Sequence, residues 1–262
     1  MAELFVLSSL VMGKNPRRLA LVLVWGLWLA ATTAAPQHQE PGLPFDDIVR
    51  HFAEKEQDYA RAHALYRYQM SIKIEELGEE SIVLGEFEQT SDVDYDERGQ
   101  RRARARENPH TDLLHLSVQR VDLQDLEFIP LFILAPSEIP DYEIRYVTKE
   151  RLDEVDTYVF RLTPRGVVRY PDRRFEGVVW VDAERLDVVR ALGRSLPARG
   201  GGAFGGYFQR LEIFREPVDK FMFPTFIRAE DTLAAREQTV RLRLTIRFTK
   251  HERVAQPANP AP

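Results

Sequence analysis

The chain of 262 residues contains no cysteine, and that absence removes several kinds of protein at once. A disulfide framework, a thiolate nucleophile, a thiolate metal site and an acylated lipobox are all excluded. Histidine is sparse as well: the six residues, at 38, 51, 63, 110, 115 and 251, form no His-Glu-x-x-His pattern. A Gly-x-Ser-x-Gly elbow is missing, and Gly200 to Gly206 lacks the Gly-Lys-Ser/Thr ending of a phosphate loop. Asp92-x-Asp94-x-Asp96 opens like a calcium loop. Glu97, however, stands where that turn requires Gly, and Ala103 stands where a bidentate Glu is needed. Basic charge is not in surplus either, with 36 Lys and Arg against 41 Asp and Glu. Nucleic acid is therefore not an expected partner, and no metal or cofactor is expected.

Long apolar runs are also missing. The run from Leu19 to Ala31 is uncharged but spans thirteen residues, short of the roughly 20 that a membrane-crossing helix needs. Lys14, Arg17 and Arg18 precede it, and small residues follow. This is the pattern of a signal peptide, with cleavage after Ala34 leaving Thr32 and Ala34 at the small-residue positions. Met12 directly precedes the basic stretch and is an alternative start. Removing residues 1–34 leaves 33 basic and 40 acidic side chains, a formal charge of −7. The expected mature protein is soluble, periplasmic and monomeric. Its single domain covers residues 35–255, and a Pro- and Ala-rich tail, 256–262, has too little apolar surface to fold.

What remains is mostly period two. After a Pro-containing leader, Phe45, Ile48, Val49, Phe52, Tyr59 and Ala60 mark one face of a helix that Asp46 or Asp47 would cap and that ends near His63. From Tyr66, apolar Tyr66, Tyr68, Met70, Ile72 and Ile74 alternate with polar residues, the mark of a strand with one wet face. Further strands are predicted at 82–88, 113–118, 142–148, 157–163, 207–215, 225–231 and 239–250. Phe175 to Arg190 reads as a hairpin closed by Asp182 to Arg185. In the last strand Val240, Leu242, Leu244, Ile246 and Phe248 form the core side, and Arg241, Arg243 and Arg247 the solvent side. The acidic run Asp92 to Glu97 followed by the basic run Arg98 to Arg106 reads as a solvated hairpin.

Val121 to Pro136 breaks this rhythm, because a helical spacing runs into uncharged residues around Pro130, which ends or kinks a helix. Such a segment covers the inner face of a curved sheet, either as a core plug or as a movable lid. The order of these elements, together with Tyr158-Val-Phe-Arg-Leu-Thr-Pro164, Phe175-Glu-Gly-Val-Val-Trp-Val-Asp182 and Phe223-Pro-Thr-Phe-Ile-Arg228, resembles the bacterial periplasmic lipoprotein-sorting superfamily of the LolA and LolB type. The resemblance implies a mainly β, α+β fold: an incomplete antiparallel barrel of about eleven strands whose concave face is covered by helices. It also implies an apolar cavity for acyl chains of lipids or lipoproteins, and a buried Arg that locks the lid. That Arg is matched to no position here.

On that resemblance the cavity and lid candidates are Phe128, Ile129, Leu131, Phe132, Leu134, Phe160, Trp180 and Phe226. The function implied is that of a non-enzymatic carrier which touches membrane or envelope proteins transiently. The alternatives are a protein-interaction or envelope-sensor module of the same shape, and an exported enzyme.

Overall fold

The structure, a computed structural model, describes residues 44–119, 122–123, 132–169, 172–197, 207–235 and 238–254. The expectations for the signal peptide, for Phe128, Ile129 and Leu131, for Gly200 to Gly206 and for the tail lie outside these residues.

Helix α1, Phe45–Ala62, buries Ile48, Val49, Phe52, Ala53, Glu56, Tyr59 and Ala62. Their spacing is one stripe of a 3.6-residue repeat. Pro44 occupies the N-cap with no side-chain bond, so the expected Asp cap is replaced. Asp46 and Asp47 sit in the first turn, where their charge complements the helix dipole. A single 3₁₀ turn, His63–Leu65, leads from the helix into the sheet.

Among the described residues eleven antiparallel strands follow: β1 Tyr66–Leu77, β2 Val83–Tyr95, β3 Arg101–Ala105, β4 His110–Thr111, β5 Tyr142–Leu152, β6 Val155–Pro164, β7 Arg174–Asp182, β8 Val188–Leu196, β9 Leu211–Val218, β10 Phe221–Ala235 and β11 Gln238–Arg253. Their order is β3-β2-β1-β11-β10-β9-β8-β7-β6-β5, with β4 also on β2. Among the described residues β3 and β5 do not pair, so the sheet is an open half-barrel with α1 on its concave face. This is the architecture that the resemblance implied.

The concave face is built by the phase expected from the sequence. On β11, Val240, Leu242, Leu244, Ile246 and Phe248 are buried, and on β1 so are Tyr68, Met70, Ile72 and Ile74. Register pairs Ile74 with Leu244 and Ile72 with Ile246, so each apolar row meets another. The β7–β8 hairpin is closed as its composition predicts: Asp182 accepts the backbone N–H groups of Glu184 (2.8 Å) and Arg185 (2.9 Å). Gly177 and Gly193 face each other across this hairpin, where a Cβ on either would stand 2.3 Å from a carbonyl oxygen of the other strand. The Phe175 ring fills the space they leave.

On the outer face, charge pairs with charge. Asp92 and Asp94 lie opposite Arg104 and Arg102 across β2–β3, and Arg102 reaches Asp96 (3.0 Å) and Arg106 reaches Asp92 (3.3 Å). The β11 arginines are likewise engaged, Arg243 with Glu75 (2.7 Å) and Arg247 over the Phe226 ring (5.0 Å).

The strand expected at Leu113 to Val118 is absent. The reason is Glu76, which falls on the concave phase of β1 and is fully buried. Its carboxylate accepts the backbone N–H groups of Leu114 (2.9 Å), His115 (2.8 Å) and Leu116 (2.6 Å). Amides turned toward one carboxylate cannot serve a ladder. Burial raises the Glu76 pKa, but these bonds and the His115 ring outweigh it and hold the group below its ordinary 4.5. Its contribution to stability is therefore complete above pH 4.5 and lost as the pH falls through the lower, folded value. Glu76→Gln should cost about 1–3 kcal/mol at neutral pH, because three donors then face a weaker acceptor. In urea titrations the variant should also lose less stability on acidification than the wild type. An equal acid response would show that this carboxylate does not carry the effect.

Candidate functional site

The site with the most unusual chemistry lies where α1 crosses the concave face. Toward one end of the helix, Phe45 meets Phe160 of β6 edge-on and Phe52 meets it at a tilt, with ring centroids 5.6 and 5.9 Å away. At the other end, Tyr59 meets Phe223 of β10 edge-on at 4.9 Å. Between these aromatic contacts stands a buried ion pair. Arg215 of β9, whose side chain is wholly covered, grips both carboxylate oxygens of Glu56; its second amino group lies 3.1 Å from Oε2. The same Oε2 accepts the backbone N–H of Ile133 at 2.9 Å. One carboxylate thus fastens three parts: helix, sheet and the strap, as we call residues 132–135. The Arg215 guanidinium also lies over the Tyr59 ring at 5.6 Å. At the rim Lys55 adds a half-exposed pair to buried Asp187, at 3.1 Å.

The energetics of this arrangement differ from those of apolar packing. Desolvation of two charges offsets most of their attraction, so an intact buried pair adds little net stability, while loss of one partner is strongly destabilising. An apolar pair of the same volume would hold the helix at least as firmly.

The predicted residues divide into three groups. Phe160, at 0 % exposure, and Leu134, at 1 %, are in the core with Ile133. Phe132 is 36 % exposed at the edge of the strap, where its ring contacts Tyr59 (5.3 Å) and His63 (4.7 Å). Trp180 and Phe226, expected on the concave face, are on the other one. Trp180 alternates with core Val179 and Val181, donates its indole N–H to Glu150 and lies under Arg190 (4.4 Å). Phe226 pairs in register with Phe214 and Arg247, and its ring centroid is 5.7 Å from that of Phe214. Both belong to the polar phase of their strands, and only the resemblance had counted them among the cavity candidates.

Sequence reasoning missed Glu56, Arg215 and Glu76, yet a signal for all three is present. Each charged residue occupies an apolar position of its own repeat. Glu56 follows Phe52 by four and precedes Tyr59 by three, Arg215 continues Leu211 and Ile213, and Glu76 continues Ile72 and Ile74. A charge in the buried phase requires a partner, because an unpaired one costs several kcal/mol. Among the described residues no group of three His, Asp or Glu side chains is placed to hold a metal ion.

No family model matches the chain, and no curated protein matches it. Solved structures similar to it include a LolA superfamily protein from Nitrosomonas europaea, at 14 % identity and a TM-score of 0.33, covering 82 % of this chain and 96 % of that one. A DUF1329 family protein from Desulfovibrio piger is 13 % identical, with a TM-score of 0.32 and coverage of 79 % and 95 %. The MucA/MucB complex from Pseudomonas aeruginosa contains a chain 11 % identical, with a TM-score of 0.23 and coverage of 80 % and 98 %.

Proposed function

We propose that this protein is a non-enzymatic periplasmic carrier that shelters the acyl chain of a lipid or lipoprotein between the concave sheet and a lid made of α1 and the strap. The observation that supports this most is the buried Glu56–Arg215 pair, which holds helix and strap together at one point. A segment meant to stay in place is fastened as well or better by apolar groups, whereas a charge pair gives a lid one discrete closed geometry to leave and return to. Each methylene of an acyl chain moved from water into the opened interior gains about 0.8 kcal/mol. That is enough for capture, and it calls for no covalent chemistry. Mass spectrometry of the purified protein under native conditions is expected to show co-purified lipid that is lost on denaturation.

A second reading has its own support. Phe160, Ile213, Ile227, Leu242 and Leu244 are all covered by the chain's own side chains, as in an interaction or sensor module that offers other surfaces to a protein partner. Phe132→Ala separates the two. Its ring is partly exposed, so its removal should cost less than the roughly 3–5 kcal/mol of a fully buried Phe. In a carrier the variant should nonetheless take up a fluorescent acyl probe more weakly. Absence of uptake by the wild-type protein at micromolar concentration would remove the carrier and leave the module.

A further inference from the structure

Two imidazoles stand where α1 leaves the sheet. His63 directly follows the last turn of the helix and donates its Nδ1–H to the Ala60 carbonyl at 2.7 Å. Its ring lies edge-on between Tyr95 of β2, at 4.9 Å, and Phe132 of the strap, at 4.7 Å. His251 of β11 lies between Tyr68 of β1, at 5.4 Å, and Phe223 of β10, at 5.0 Å. The two histidines line one pocket of about 10 Å³ together with Tyr59, Tyr68, Tyr95 and Phe223, room for a single water.

Among the described residues no Lys, Arg, Asp or Glu side chain lines this pocket, and the nearby charges reach only the outer sides of its lining rings. Arg101 of β3 donates to the Tyr68 hydroxyl at 3.4 Å, and Arg215 of β9 lies over Tyr59. On the helix side, Glu56 is already bound by Arg215. On the far side of Phe223, Asp219 is one ring removed and accepts from Tyr66 at 2.7 Å. Among the described residues no carboxylate bonds either imidazole. Protonation would therefore place two positive charges around one small apolar pocket whose lining carries no carboxylate.

We propose that His63 and His251 form an acid-sensitive catch, whose protonation frees the strap and the last turn of α1 from the sheet and so opens the lid. This rests on the reading of helix and strap as a lid. Burial lowers both imidazoles below their ordinary 6.5. Their neutral forms accordingly favour the closed state, a contribution complete above pH 6.5 and lost as the pH falls below it. The histidine contribution begins to be lost below pH 6.5, whereas that of Glu76 is complete down to pH 4.5, so between these values Glu76 adds nothing to the response.

Hydrogen exchange of the full chain at pH 7.5 and 5.5, corrected for the intrinsic pH dependence of exchange, tests the catch. Amides of residues 57–65 and 132–135 should open more at pH 5.5, by up to about tenfold for each histidine, the effect of one proton taken up over one pH unit. The β11 amides should not change. The double variant His63→Phe/His251→Phe should respond to neither pH, and if it fails to fold, His63→Gln and His251→Gln should each weaken the response. Equal exchange at both pH values in the wild type overturns the catch, as does a full response in the variants. Binding of the acyl probe at pH 7.5 is measured separately. PH-dependent opening without probe binding supports the catch and removes the carrier, whereas probe binding without pH-dependent opening removes the catch alone.

Discussion

Glu56→Ala should destabilise the protein by about 3–5 kcal/mol, since it leaves the Arg215 guanidinium buried and without its carboxylate. The loss is a large fraction of a typical total of about 5–15 kcal/mol. It should be visible in urea unfolding as a fall in the midpoint. Arg215→Met should behave alike, because it strands the Glu56 carboxylate beneath the helix. The double variant Glu56→Met/Arg215→Met is expected to recover most of the stability, as apolar replacements of buried ion pairs are often neutral or stabilising. Under the lid reading, however, a helix held by apolar contact alone should release an acyl probe at an altered rate. Single variants that lost less than about 1 kcal/mol would show that the pair is not the point at which helix, strap and sheet are joined.

Leu244→Asp is expected to abolish soluble folding. Leu244 is fully buried on the concave face, paired in register with Ile74 on one side and Ala229 on the other. The substitution removes an apolar contact worth about 2–5 kcal/mol and adds an unpaired carboxylate at several kcal/mol more. Arg243→Gln, one residue away, should be mild. Its side chain is about a third exposed on the outer face, and the partner Glu75 keeps Lys73 at 3.4 Å. An exposed pair of this kind contributes roughly 1 kcal/mol or less. Soluble expression and thermal melting compare the two variants, and the reverse order would place β11 in the opposite phase to that described.

These two expectations lie at opposite ends of what the residue order reveals. The phase of β11, the stripe of α1 and the β7–β8 turn follow from residues a few positions apart, since helix and strand periods and Asx turns are local physics. The same local rule, applied strictly, would have kept Trp180 and Phe226 off the concave face, because each shares its phase with charged or solvent-facing neighbours. Glu56, Glu76 and Arg215 were legible as misfits, charges in an apolar phase. Their partners were not. Glu56 and Arg215 are 159 residues apart, and Glu76 meets the Leu114 to Leu116 amides across about 40. No period links such positions.

The strand order that brings β11 beside β1, the irregular path of Leu113 to Val118 and the placing of His63 and His251 on one pocket are also outcomes of closure in three dimensions. The pattern of side chains states which face of each element leaves water, because burial follows each residue's own hydrophobicity. Which buried faces meet, and which charges must then find one another there, depends on how distant elements pack, and that is a property of the folded chain as a whole.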